Sequence, residues 1–142
     1  MFTIECEVGA LRRDHARVRI AGVSVDPRAE FTWLPKAALA RAGIAVVKKR
    51  LAFVLADGRI VRRSVGYASL RADGFETVDE VVFAELGDVP LLGSRTLEGF
   101  GAVVDARAKR LIAAGPHTAT AIREQSGRGA HAGFTAANRS RT

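Results

Sequence analysis

Along the first hundred or so residues, apolar side chains recur at every second position. Phe2, Ile4, Cys6 and Val8 alternate with Thr3, Glu5 and Glu7, the pattern of a strand with one buried face. Val18 and Ile20 alternate with Arg17 and Arg19, and Val23 and Val25 carry the run past Gly22. Leu51–Leu55 and Ile60–Leu70 flank Ala56-Asp57-Gly58-Arg59. This predicts a hairpin, because Asp and Gly both tolerate positive φ. A second turn, Asp73-Gly74, leads into the apolar run Val78–Ala84. Ala102–Val104 and Arg110–Ala113 flank a short turn at Asp105–Ala108.

Two segments read as helical. Pro35 to Ala42 starts with proline in the first turn and stops at Gly43, a natural C-terminal glycine. Ser94 to Phe100 is short, with Ser94 as the expected N-cap and Gly101 as the stop. Residues 1–113 therefore form one all-β domain with two short helices. Residues 114–142 are mostly Ala, Gly, Ser, Thr and Arg, with Ile122 and Phe134 as the large apolar groups. Too little apolar surface is present there to offset ordering entropy, so this segment is expected to be a disordered basic tail.

The chain has 142 residues and a formal charge of +7, with 22 Lys plus Arg against 15 Asp plus Glu. Most of the basic residues are Arg in an Ala-rich chain, a bias that a GC-rich genome produces. No nucleic-acid motif or aromatic stacking platform accompanies them, so nucleic acid is not the expected partner. Lys48-Lys49-Arg50 with Arg59, Arg62 and Arg63 makes a basic cluster around the first hairpin, read as a solvated strand face with an acidic partner as the rarer use. The longest stretch free of acidic and basic residues, Leu111–Ile122, is far short of the ~20 apolar residues a membrane span needs. Neither a membrane segment nor a secretory signal is expected. Cys6 is the single cysteine, which excludes an intrachain disulfide or thiolate metal cluster and suits a reducing, cytoplasmic setting. His15, His117 and His131 lack metal-ligand spacing, so no metal site is expected at them.

The order of the pieces carries more than any one of them. An apolar strand ends in Val23-Ser24-Val25-Asp26, then Pro27-Arg28-Ala29-Glu30-Phe31-Thr32-Trp33-Leu34-Pro35 leads into a helix. The Asp57-Gly58 hairpin follows, and Pro90-Leu91-Leu92-Gly93 precedes the second helix. Over residues 2–113 this resembles the single-domain retropepsin-like aspartic proteases of prokaryotes. Their pattern is an apolar strand ending in Asp-Thr-Gly-Ala, a flap hairpin, and an apolar-apolar-Gly motif before a helix. The resemblance implies a closed β-barrel and a homodimeric aspartic peptidase without cofactor that acts on peptide or protein substrates. It implies Asp26 as the catalytic residue, one per chain, with Ala29, Asp57 and Gly58 contacting substrate.

In such a dimer two carboxylates about 3 Å apart cannot both ionise and so share a proton, which equips one as base and the other as acid. Here the family's Thr and Gly are replaced by Pro27 and Arg28. Proline lacks the hydroxyl and N–H with which the family's Thr locks the two loops together. A guanidinium within about 4–6 Å of the pair favours both carboxylates charged, without the shared proton. A second function therefore stays open, a non-catalytic dimeric module that binds peptides in the same cleft. Asp26 also has a plain reading, since Asp-Pro commonly opens a turn. Phe31 and Trp33 read as core or cleft-wall aromatics.

Overall fold

The structure is a computed structural model that describes residues 2–12 and 16–120. Nine strands and two short helices follow one another. They are β1 (Thr3–Gly9), β2 (Val18–Val25), β3 (Thr32–Pro35), α1 (Lys36–Arg41), β4 (Lys48–Val54), β5 (Ile60–Ala72), β6 (Phe75–Ala84), β7 (Leu91–Leu92), α2 (Ser94–Phe100), β8 (Ala102–Asp105) and β9 (Arg110–Ala113). The chain is thus mainly β, as its period of two predicts. The expected tail beyond residue 120 lies outside the described residues. Residues 114–120 are exposed and carry no helix or strand.

The main sheet runs in the order β1-β2-β7-β3-β6-β5-β4, and β1 also pairs with β5. Pairing therefore passes from β1 through β2, β7, β3, β6 and β5 back to β1, with β4 attached outside that circuit. Most neighbours are antiparallel, whereas β2 with β7 and β3 with β6 are parallel. Alternation sorts the side chains. Cys6, Val8, Val23, Val25, Leu34, Leu70, Val81 and Leu92 are buried, while Glu5, Arg19 and Arg71 on the same strands are exposed. Strands β8 and β9 form a separate hairpin that contributes Ala102 and Leu111 to the core.

Local chemistry explains the connections. Asp73 (φ 51°) and Gly74 (φ 87°) both sit in the left-handed region, the two-residue turn whose twist matches a hairpin. At Asp57-Gly58 only Gly58 has positive φ. Leu55 accepts from Gly58 and donates to Arg59, so this loop has three residues, with glycine at its left-handed position. Helix α1 ends with the Gly43 N–H on the Ala40 carbonyl and the Ile44 N–H on the Leu39 carbonyl, a Schellman motif with Gly43 at φ 79°. Pro35 is the N-cap of α1 and closes β3, so the helix starts at Lys36, one residue later than expected. Helix α2 departs further from expectation. Gly93 is its N-cap and Ser94 its first residue, and no side chain caps it.

Candidate functional site

Strand β2 delivers Asp26 to the surface. Val25 is buried and donates its N–H to the Phe2 carbonyl, and the Asp26 N–H reaches the Leu92 carbonyl of β7 at 2.9 Å. The chain then turns. The Ala29 N–H donates to the Asp26 carbonyl at 3.1 Å, with Pro27 where a turn wants a preset φ. The Asp26 carboxylate closes the same turn, because Oδ1 accepts the Arg28 backbone N–H at 3.0 Å. The Arg28 Nε lies 3.5 Å from that oxygen, its side chain 83% exposed against 19% for Asp26. Among the described residues no protein group bonds Oδ2. The plain turn-opening reading of Asp26 is realised, and one carboxylate oxygen remains available beside it.

The loop is clamped from behind by the Leu91-Leu92-Gly93 segment. The Ser94 N–H donates to the Ala29 carbonyl at 2.7 Å and the Arg95 N–H to the Glu30 carbonyl at 3.2 Å. These are first-turn N–H groups that lack partners within the helix, so the loop caps α2 in place of the expected serine. A side chain at Gly93 has no room. A Cβ there would meet the Phe31 carbonyl oxygen at 2.4 Å and the Glu30 carbonyl oxygen at 2.8 Å.

A buried polar chain fixes this approach. The Gly93 N–H donates to Thr32 Oγ1 (2.9 Å), which lies 2.6 Å from Thr96 Oγ1. Thr96 donates its hydroxyl hydrogen to Asp79 Oδ2 (2.8 Å), so Thr32 is the donor in the Thr pair. Thr32 and Thr96 are both fully buried. Sequence reasoning missed this network. The isolated polar residues Thr32 and Thr96 next to apolar positions were the available signal, but their partners lie far apart in the chain.

The hairpin β4–β5 meets the loop through aromatic contacts. Phe53 packs edge-on against Phe31 (5.3 Å between centroids) and Trp33 (5.1 Å). The Arg95 guanidinium lies over Phe31 at 4.6 Å and reaches the buried Glu80 at 3.1 Å. Lys48 Nζ also bonds Glu80, at 2.7 Å, holding that carboxyl below its ordinary range and raising the lysine. Arg63 of β5 makes a two-pronged bond to Asp88 in the loop before β7, at 2.7 and 2.9 Å. Hydrogen bonding to Arg63 likewise depresses Asp88.

Of the expected site residues, Asp26 and Ala29 share one loop. The Ala29 N–H and carbonyl are both spent inside that loop and on α2, so only its side chain is free to meet a ligand. Asp57 and Gly58 lie apart at the hairpin tip, where Asp57 bonds the Arg59 backbone and side chain, chiefly through the backbone N–H that lowers its titration. Two surface cavities of about 420 and 340 Å³ lie along β1, β5 and β6 and are lined by neither loop nor tip. Burial pushes the Cys6 thiol up to about 12, so it is inert. No group of three or more His, Cys, Asp or Glu among the described residues is arranged to hold a metal ion, and no described helix is long and apolar enough to cross a membrane. His15 and His131 lie outside the described residues. Comparison with protein-family models, curated proteins and solved structures gave no match.

Proposed function

We propose that this chain is a retropepsin-like aspartic-type peptidase that works as a homodimer, with one Asp26 from each copy, and that its active-site loop restrains hydrolysis. The observation that carries this reading is the clamp between two distant motifs. The Asp26 loop and Leu91-Leu92-Gly93 lie side by side, joined by the Asp26–Leu92, Ala29–Ser94 and Glu30–Arg95 hydrogen bonds. The circuit of six paired strands supports the closed barrel that such a peptidase uses. One chain supplies one such loop, so a carboxylate pair requires two copies, meeting through the same patch on each.

The chemistry follows from the pair. One carboxylate takes a proton from water as the water oxygen bonds to the peptide carbonyl carbon. The other, protonated, donates a hydrogen bond to the carbonyl oxygen. When the C–N bond breaks, the amine leaves with a proton returned by the pair. Two features of this loop oppose the cycle. Arg28 places positive charge beside Asp26, which stabilises the fully charged pair over the proton-sharing one. Pro27 has no N–H or hydroxyl to bond across the dimer axis.

Those two features also favour a second reading, a dimeric module that binds peptides without cutting them. Sedimentation with a pepstatin-sensitive cleavage assay at mildly acidic pH separates the possibilities. The peptidase reading expects a dimer that dissociates on dilution and slow cleavage abolished by Asp26→Asn. Binding with no cleavage supports the module. A strict monomer at high micromolar concentration contradicts both.

A further inference from the structure

We propose that Arg28 makes this site selective for peptides with an acidic residue flanking the scissile bond. The proposal rests on the peptidase reading above and adds its substrate class. Arg28 is strongly exposed, and among the described residues its one side-chain contact is the Nε at 3.5 Å from Asp26 Oδ1, the long limit for a hydrogen bond. Both of its terminal amino groups are without a partner among the described residues. A guanidinium offers two parallel N–H groups that match a carboxylate, a shorter and stronger contact than the one it makes here. A substrate carboxylate therefore outcompetes Asp26 for Arg28.

The surroundings point the same way. The hairpin whose Phe53 rests on Phe31 carries six basic residues between positions 48 and 63. Lys48, Arg59 and Arg63 are matched by Glu80, Asp57 and Asp88. Lys49, Arg50 and Arg62 are exposed and face no carboxylate among the described residues. The loop itself carries Asp26 and Glu30 beside Arg28, so the surplus positive charge is the hairpin's, and it attracts acidic peptides and repels basic ones.

This arrangement couples selection to activation. Drawing the Arg28 side chain onto the substrate removes the cation from Asp26 while the backbone N–H stays on Oδ1, which favours the shared proton of the carboxylate pair at Oδ2. With one Arg28 per chain, a peptide crossing the two-fold axis meets one on each side of the bond to be cut.

The test uses the full chain and three peptides that differ only in carrying Glu, Gln or Lys on both sides of a central apolar pair. Binding is read by fluorescence polarisation and cleavage by mass spectrometry, at a pH above the ordinary Glu value of about 4.3 so that Glu is charged. The Glu peptide should bind at least about fivefold more tightly than the Gln peptide, and the Lys peptide should bind weakest. Arg28→Gln should remove the Glu preference and Arg28→Glu should reverse it. Arg107→Gln, in the exposed turn before β9, should leave it intact. Equal binding of the three peptides, or a preference that survives Arg28→Gln, overturns the proposal. So does tighter retention of single-stranded RNA than of the Glu peptide. Cleavage without a Glu preference sinks the selectivity alone, whereas Glu-selective binding with no cleavage by any variant supports it and sinks the peptidase reading.

Discussion

Gly93 and Phe31 touch so closely that a single added carbon on the glycine would fall 2.4 Å from the Phe31 carbonyl oxygen. The obstructing atoms are backbone, and that backbone is the loop that begins at Asp26. Gly93→Ala must therefore push the loop away from β7. We expect a loss of about 1–3 kcal/mol, the range for overpacking a well-filled site, read as a lower urea midpoint with an unchanged slope. Asp26-dependent cleavage should fall with it.

The Thr32 hydroxyl is expected to be as important as the glycine. Thr32→Val keeps the shape but leaves the buried Gly93 N–H without an acceptor and breaks the bond to Thr96. The expected cost is about 1–3 kcal/mol. Thr32→Ser retains the hydroxyl and should keep most of the stability. Equal stability of Val and wild type in thermal melts would count against the network.

Much of this fold was legible because its signals are local. The Asp73-Gly74 turn, the Gly43 stop and the alternation in β1 each act within a few residues. Strands β3 and β7 were not legible as strands. Thr32–Pro35 has four residues and ends in proline, and Leu91–Leu92 has two, so neither shows a period. Their partners, β6 and β2, lie far along the chain. The same distance hid Thr32–Thr96–Asp79. Ser94 misled because its type suits an N-cap, whereas the carbonyls of Ala29 and Glu30 had already met those N–H groups. The turn that Asp26 opens through Arg28 was legible from Asp-Pro. The contact of Phe53 with Phe31 and Trp33 was beyond local reasoning.

Acid stability should track Glu80 and Asp88. Both carboxyls titrate below their ordinary values of 4.5 and 3.8, because Lys48 and Arg63 bond their charged forms. A depressed folded value gives stability that is complete above the unfolded value and lost as pH falls through the folded one. The melting temperature should thus hold steady down to about pH 4.5 and drop below it. Asp88→Asn should lower stability by about 1.5–3 kcal/mol at neutral pH and make the acid decline shallower. An unchanged acid slope would separate Asp88 from the effect. Peptidase assays belong above this window, where the fold is intact.

The central claim is that Asp26 sits in a working geometry restrained by its two neighbours. The most direct measurement is peptide cleavage at mildly acidic pH by the double variant Pro27→Thr/Arg28→Gly, beside wild type and the triple variant that adds Asp26→Asn. Threonine supplies the hydroxyl and N–H that would join the two loops of the proposed dimer, and glycine removes the cation beside the carboxylate. Either change alone should achieve little, since in the proposed dimer the two loops would act as one unit. The account predicts a tighter dimer and a clear rise in cleavage for the double variant, abolished by Asp26→Asn. A double variant that folds and dimerises normally yet cleaves no faster than wild type would contradict it.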